Sequence, residues 1–415
     1  MQRHGPLFRT SVMGKQVVIS TDAEFNNYIV QQEGKLVELW YLDTFTRLFE
    51  QDGDCETHIG FSAIHKYLRT LLLNHFGTQN LKDKLLFEIQ ECIYKTLSAW
   101  SSKGSVEVRH ATTIMLLNFG AKGLIGYDPE KATEDLGEKY TRIMEGLMTI
   151  PLNIPGTTYY KCRKEQESVV NMLRGMLKER RASLASDQTH EGDFLYEISK
   201  DMDKEKFLTE DFVAHMTFGV LLATFETLSA TMTLAFKLLA DHPSVLEELT
   251  AEHEAILKKR ENSNSPITWE EYKSMAFTHQ VINETLRLGN TLPGLLRLAK
   301  KDVSMKGFTI PAGWTIMLVP YALHLNPNTF KDPIEFNPWR WKDLDSLVVS
   351  KNFMPFGGGT RQCVGAEYSR VFMATFFHIL LTKYRWTMIK GGEIARNPLL
   401  AFGKGVHIKF SEKTN

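Results

Sequence analysis

The stretch Pro355-Phe356-Gly357-Gly358-Gly359-Thr360-Arg361-Gln362-Cys363-Val364-Gly365 decides the reading of this chain. Its three successive glycines permit backbone conformations closed to other residues and let a flat ligand come close. A helical run follows over residues 366–381. A cysteine just before a helix N-terminus has its thiolate favoured by the helix dipole and by backbone N–H groups. The stretch therefore describes an exposed, stabilised thiolate facing something bulky. The plainer reading, a glycine-rich turn with a buried structural cysteine, is the commoner fate of a lone cysteine. A phosphate cradle does not fit, because G-x-G-x-x-G would need glycine at Gln362 and G-x-x-x-x-G-K is absent.

Around that stretch lies a chain of 415 residues whose 49 basic and 49 acidic side chains cancel. Hydrophobic residues at 43% and charged residues at 24% describe an ordinary globular protein with a deep core, and exclude disordered, collagen-like and coiled-coil classes. Without a basic excess, nucleic acid is not an expected partner. Cys55, Cys92, Cys162 and Cys363 form no C-x-x-C and no close pair, which argues against a disulfide framework or a multi-cysteine zinc site and fits a reducing compartment. Arg3, His4 and Arg9 interrupt a start that has no apolar run. Residues 212–225 are free of acids, Lys and Arg but fall short of the roughly 20 residues a bilayer span takes. Residues 307–330 are broken by Pro311, Gly313, Pro320 and Pro327, so no segment reads as transmembrane.

The first residues alternate as strands do, Leu7 to Val12 and Val17 to Ser20 about a Met13-Gly14-Lys15 turn, which predicts a hairpin. Over residues 80–241 the pattern is helical, as at 81–100 and 138–148, while the polar stretches 180–191 and 258–266 read as surface loops. One long helix is capped by Thr209, favoured by Glu210 and Asp211 in its first turn, and unbroken until Asp241-His242-Pro243. About thirty residues at 1.5 Å each make roughly 45 Å, enough to cross a core. The capping box Thr268-Trp269-Glu270-Glu271 predicts a second helix continuing through Arg287. Short strands are expected at 303–305, 315–319 and 406–410.

F-x-x-G-x-R-x-C-x-G is matched at Phe356, Gly359, Arg361, Cys363 and Gly365, and on this motif the chain resembles a cytochrome P-450, a haem-thiolate monooxygenase. The resemblance implies a mainly α fold, a helical haem domain with a small β subdomain assembled from both chain ends, and one domain over residues 1–415. It makes Cys363 the axial ligand of haem b (iron protoporphyrin IX), pushing electron density onto the iron. Phe356 and Gly365 then belong to the cofactor loop.

Further positions follow the family order. Glu284 and Arg287 stand at i and i+3, a spacing that pairs charges and that any amphipathic helix also offers as a solvated pair. In the resembled family E-x-x-R joins a later arginine, so Arg340, within Phe336-Asn337-Pro338-Trp339-Arg340-Trp341, completes a structural network bracing the haem loop. Ala223-Thr224-Phe225-Glu226-Thr227 sets an acid and a hydroxyl in an apolar section, where a charge needs a partner, water or a task. A solvated face, or a bond from Thr227 to the preceding turn, is the alternative. The resemblance implies that Glu226 and Thr227 face bound O2 and relay protons to it. Thr224 stands where the family usually has glycine, and its hydroxyl is available to the relay. By resemblance His65, Arg69, Arg297 and Arg361 contact the haem propionates; otherwise they are surface cations and His65 a satisfied core histidine.

Other enzyme readings fail. His253-Glu254 begins an H-E-x-x-H whose fifth residue is Leu257, no G-x-S-x-G is present, and the sequon Asn283-Glu284-Thr285 lies in a helical stretch. The resemblance implies insertion of one oxygen atom of O2 into a C–H bond. Electrons come from NADPH through NADPH-cytochrome P-450 reductase, docking on the cysteine side of a monomer with Lys66, Arg361 and Arg370 as basic contacts. Asn153-Ile154-Pro155-Gly156-Thr157, Thr285-Leu286-Arg287-Leu288-Gly289-Asn290 and residues 336–341 resemble plant members that oxidise triterpenoids and steroids. A small apolar substrate is thus expected in a pocket lined by Leu222, Ala223, Leu292, Pro293 and Phe402, positions that core packing explains equally well. The resemblance places the enzyme at the cytosolic face of the endoplasmic reticulum membrane. No anchor helix, hinge or first helix precedes Leu7, so weaker membrane attachment is expected of the chain as written. Two alternatives stay open: a haem-thiolate isomerase or dehydratase using neither O2 nor reductase, and a truncated, non-catalytic relative.

Overall fold

The alternating start folds as expected: Leu7–Val12 pairs antiparallel with Lys15–Ser20, Leu7 opposite Ser20. Lys15–Ser20 lies parallel to Thr315–Leu318, with Val17 against Thr315. The resulting five-stranded sheet has the order Leu7–Val12, Lys15–Ser20, Thr315–Leu318, Leu295–Ala299, Val37–Leu39. Val18, Ile316 and Leu318 on it pack into one core with Phe25, Ile29 and Val30 of the helix Ala23–Gln31. That packing fixes the helix-to-strand turn at Glu33, between Ala23–Gln31 and Val37–Leu39.

The computed structural model describes residues 5–12, 14–41, 62–132, 134–147, 149–185, 193–262, 264–396 and 399–413; Arg3, His4, Met13, Cys55, Met148 and residues 186–191 of the expected loop lie outside the described residues. The chain groups into two compact units, one of residues 1–40, 59–109 and 230–415, the other of residues 41–58 and 110–229.

In the first unit the central element is the helix Ala366–Lys383, which directly follows the cysteine stretch. From Val371 to Leu381 every residue is buried, so apolar side chains such as Phe372, Phe376 and Phe377 are needed all round it. It packs on the helices Leu86–Lys103, Pro243–Lys258 and Ala276–Gly289. A three-stranded sheet of Ser105–Glu107, His407–Glu412 and Tyr384–Lys390, together with the two-stranded pairs Val303–Met305 with Phe308–Ile310 and Ile394–Arg396 with Leu400–Phe402, completes the unit.

The second unit is helical. Leu136–Leu147 packs along Thr158–Ala185, and Tyr140 stacks on Phe218 while its hydroxyl donates to the Phe218 carbonyl at 3.0 Å. The long helix is Glu210–Asp241, of which residues 210–229 belong to this unit, and the Thr209 hydroxyl accepts from the Phe212 N–H at 3.1 Å, as its capping position required. Among the described residues it alone is long and apolar enough to cross a membrane by length and composition, and 67% of its most apolar stretch is buried in the protein, as in a core helix.

Three readings need correction. Residues 180–185 are not loop but the last turns of Thr158–Ala185, because Arg180 and Arg181 find ionic partners in Asp193, Asp203 and Glu210. The capping-box helix ends at Ser274, and a second helix, Ala276–Gly289, starts after Met275, whose ψ of 63° breaks the ladder. The Glu252 carboxylate caps that second helix, accepting from the N–H groups of Phe277 at 2.7 Å and Thr278 at 2.9 Å. Finally, residues 81–85 form a π-helical turn, not regular α-helix, before Leu86–Lys103.

Candidate functional site

The cysteine stretch is a tight, self-closed loop. Gly357 and Gly359 adopt φ of +70° and +64°, the left-handed region where a side chain is strained. A Cβ on Gly359 would lie 2.1 Å from the Val30 carbonyl oxygen, so only glycine lets the loop lie against the helix Ala23–Gln31. The Cys363 N–H donates to the Phe356 carbonyl at 2.9 Å and closes the loop, and the half-buried Phe356 ring sits under the Arg370 guanidinium at 5.4 Å. Gly365, two residues after Cys363, is the N-cap of the helix Ala366–Lys383.

Cys363 is exposed by surface area, yet burial is the largest influence on its thiol and raises its pKa, against the lowering effects of the Gly365 N–H and the Arg69 charge. Both observations hold for a sulfur at the floor of a recess. A Cβ placed on Gly365 would meet only the Cys363 Sγ, at 3.9 Å, so there is open room beside the sulfur. By contrast Cys162 is fully buried, and its thiol is pushed up to about 11 by burial.

Four cationic or titratable side chains named from the sequence gather in this unit. Arg69, on the helix Ser62–Phe76, donates to the Gln362 carbonyl next to the cysteine at 2.6 Å. Arg297 and Arg361 meet on one acid that sequence reasoning missed, Glu33. Its Oε2 lies 2.8 Å from Arg297 Nε, and its Oε1 lies 3.0 Å from Arg361 Nε. The side chains of Glu33, Arg297 and Arg361 are only 6%, 4% and 8% exposed. His65 lies within their field. Burial first, then the charges of Arg361 and Arg69, lower its imidazole to about 4 and leave it neutral near pH 7. Arg361 is therefore an interior residue and not a surface contact, and Arg370 is turned inward to Asn283 Oδ1 at 2.6 Å; of the three basic contacts expected for docking, only Lys66 is exposed.

Behind the loop Glu284, Arg287 and Arg340 converge. Arg287 donates twice to Glu284, at 2.9 and 2.7 Å, and Arg340 Nε donates to the same carboxylate at 3.0 Å. The Trp341 indole N–H at 2.9 Å and the Asn337 backbone N–H at 3.0 Å complete its shell, donors that the sequence pattern did not single out. Arg287 also donates to the carbonyls of His324, Pro333 and Glu335 at 2.9, 2.6 and 3.1 Å. His324 in turn accepts the Met354 N–H on its Nε2 at 3.0 Å, so one residue ties the buried arginine to the base of the cysteine loop. Burial lowers that imidazole to about 3, which keeps Nε2 an acceptor.

In the second unit Glu226 and Thr227 are half-buried in the middle of Glu210–Asp241, with Leu222 buried and Ala223 exposed. The Thr224 hydroxyl donates to the Leu221 carbonyl at 2.7 Å, so it is engaged in its own helix and not offered to a relay. Thr224 fits because Gly120 faces it: a Cβ on Gly120 would lie 2.7 Å from Thr224 Oγ1. In the first unit Phe402 is buried in its strand, whereas Leu292 is 48% exposed and Pro293 is exposed.

A thiol under a helix N-terminus with open space beside it, near guanidinium groups that exceed their acid partner, fits a haem: the sulfur suits its iron and the cations suit its carboxylates. The comparisons agree. The sequence matches the family model Cytochrome P-450 over residues 1–405. It is 49% identical over 413 residues to the cucurbitadienol 11-hydroxylase of Siraitia grosvenorii, covering 100% of this chain and 86% of that one. To the beta-amyrin 16-alpha-hydroxylase of Maesa lanceolata it is 47% identical over 413 residues, again covering 100% and 86%. The fold superposes on the retinoic acid-bound cyanobacterial CYP120A1 with a TM-score of 0.82 at 22% identity, over 99% of this chain and 93% of that one. With the family matched along almost its entire length and the fold shared, the chain belongs to the cytochrome P-450 family and is a monooxygenase that works with haem iron, O2 and a redox partner.

Proposed function

We propose that this enzyme hydroxylates a rigid polycyclic triterpenoid or steroid-like alcohol, taking electrons from NADPH through NADPH-cytochrome P-450 reductase as a monomer at the cytosolic face of the endoplasmic reticulum, residues 1–415 acting as one catalytic domain. The observation that carries the reading is Cys363, placed two residues before the N-cap Gly365 of Ala366–Lys383 with open room beside its sulfur. The substrate class rests on the two plant hydroxylases at 49% and 47% identity, whose names specify cucurbitadienol and beta-amyrin.

When bound, haem supplies the iron at which O2 is activated, so that one oxygen atom enters a substrate C–H bond. The chain's own residues do the rest. Cys363 would hold the haem iron through its sulfur, whose thiolate the helix dipole, the Gly365 N–H and Arg69 favour against the opposing effect of burial. Arg69, Arg297 and Arg361 receive the propionates, and neutral His65 supplies a ring nitrogen beside them. Phe356 and Gly365 shape the loop. Glu226 and Thr227 hold and pass protons for the reaction; as neighbours on a helix they point roughly 100° apart, so they act in succession and not as a bonded pair. Leu222, Ala223, Leu292, Pro293 and Phe402 supply apolar surface to the substrate. Glu284, Arg287 and Arg340 hold the cysteine loop through His324.

The test is the carbon monoxide difference spectrum of the reduced protein beside Cys363→Ala, followed by turnover of cucurbitadienol and beta-amyrin with NADPH and a reductase. A thiolate-type Soret band lost in the variant, and a product heavier by one oxygen atom, are expected. Absence of that band in the parent would overturn the assignment of Cys363; a normal band with both alcohols untouched would overturn the substrate class alone.

A further inference from the structure

Among the described residues, Glu33 is the buried acid that Arg297 and Arg361 share. It sits where the helix Ala23–Gln31 turns into the strand Val37–Leu39, and Leu39 N–H donates to its Oε1 at 3.1 Å. Each carboxylate oxygen faces a different guanidinium, Arg297 at 2.8 Å from the five-stranded sheet and Arg361 at 3.0 Å from the cysteine loop. Two guanidinium groups buried this deeply repel each other without an acid between them, and at short range in a low-dielectric setting that repulsion is large. Among the described residues Arg69, on the Gln362 carbonyl, adds a third cation beside the two that face Glu33, so the group carries the positive sign that suits carboxylates. His65 adds none near pH 7.

We infer that Glu33 is the positioning residue of the propionate pocket: it clamps Arg297 and Arg361 in their receiving orientation and offsets part of their positive charge. The inference rests on haem binding at Cys363. Removing the charge while keeping an acceptor for Leu39, as Glu33→Gln does, makes the pocket more positive and takes away the acid on which the two arginines meet. Iron reduction adds a negative charge to the haem, so a more positive surrounding favours the reduced state. Glu33→Asp keeps the charge but is one methylene too short to reach both arginines.

The experiment uses the haem-loaded chain, with three readouts: the carbon monoxide difference spectrum, the rate of haem transfer to excess apomyoglobin, and the haem midpoint potential. Glu33→Gln is expected to lose haem about tenfold faster, the usual scale for removing an outer-shell partner, and to have a more positive potential. Glu33→Asp is expected to lose haem faster at a potential close to the parent's, and it carries the test if the Gln variant does not fold. Variants that melt earlier but match the parent in haem transfer would show Glu33 to be a fold residue only and overturn the inference. A parent without the thiolate-type spectrum would instead overturn the reading at Cys363.

Discussion

The indole N–H of Trp341 donates to Glu284 Oε2 at 2.9 Å, making this fully buried carboxylate the acceptor for a tryptophan, two arginines and a backbone amide. Glu284→Ala therefore strands Arg287, which is itself 0% exposed, as an unpaired buried charge. A loss of about 3–5 kcal/mol is expected. Trp341→Phe removes one donor of several and should cost about 1 kcal/mol. Denaturant midpoints of the two variants check the ranking; equal midpoints would mean that Glu284 is not the hub.

Gly120 and Thr224 form a complementary pair of sizes. Gly120→Ala drives a methyl to 2.7 Å from Thr224 Oγ1, and that side chain is β-branched and tied to Leu221, so it yields little. Overpacking of about 1–3 kcal/mol is expected, largely relieved when Thr224→Ala is added. Additive melting shifts in the double variant would refute the pairing.

Acid should weaken the fold through buried histidines. His253 and His378 meet Nδ1 to Nδ1 at 3.1 Å, and His253 Nε2 meets the Thr278 hydroxyl at 3.1 Å. Burial, then the Arg260 charge, lowers His378 from 6.5 to about 4, and burial, then His378, lowers His253 well below its usual value. Between pH 6.5 and 4 the unfolded chain therefore binds protons that the folded one refuses, and stability falls as pH falls through this window. The drop for the pair is on the order of a few kcal/mol. Replacing both histidines by Asn should flatten the fall measured by thermal melts from pH 7 to pH 4. An unchanged slope would assign it elsewhere, to His65 or His324.

Asp193 has two tasks in the second unit. It takes Arg180 at 2.8 and 2.9 Å and caps the helix Phe194–Ser199 through the Tyr196 N–H at 2.7 Å. Both partners of the ion pair are 11% exposed. Asp193→Ala is expected to cost about 3–5 kcal/mol from the stranded charge. Asp193→Asn, which keeps the cap, should restore the part due to the cap, about 1 kcal/mol. Urea titrations of the three proteins separate the two contributions.

Where neighbours in sequence decide the structure, the sequence was a sufficient guide. The hairpin of Leu7–Val12 with Lys15–Ser20, the Thr209 cap and the Thr268–Glu271 capping box all depend on residues within a few positions of each other. Readings failed where distant residues supply the partner. Nothing local marks the break at Met275, because the acid that caps the next helix, Glu252, lies on an earlier one. The polar run at Arg180 stays helical because Asp193, Asp203 and Glu210 answer its charges. In the site, the motif singled out Cys363 and Arg361 at a fixed spacing, and the family resemblance added Arg69 and Arg297. Glu33 and His324 carry no such pattern: one is an acid before a glycine turn, and the other acts through a carbonyl and a ring nitrogen that no sequence signal distinguishes.

The Glu33–Arg361 clamp joins positions 328 residues apart. During synthesis at about 5–20 residues per second, Glu33 emerges roughly 15–65 s before its partner. For all that time the acid of the pocket exists without Arg361 or Cys363, and for most of it without Arg297. A nascent chain therefore lacks the Cys363 thiol and the closed Glu33 clamp until residues 361–363 have left the ribosome, so a loop built on them can form only after every residue before them has been made.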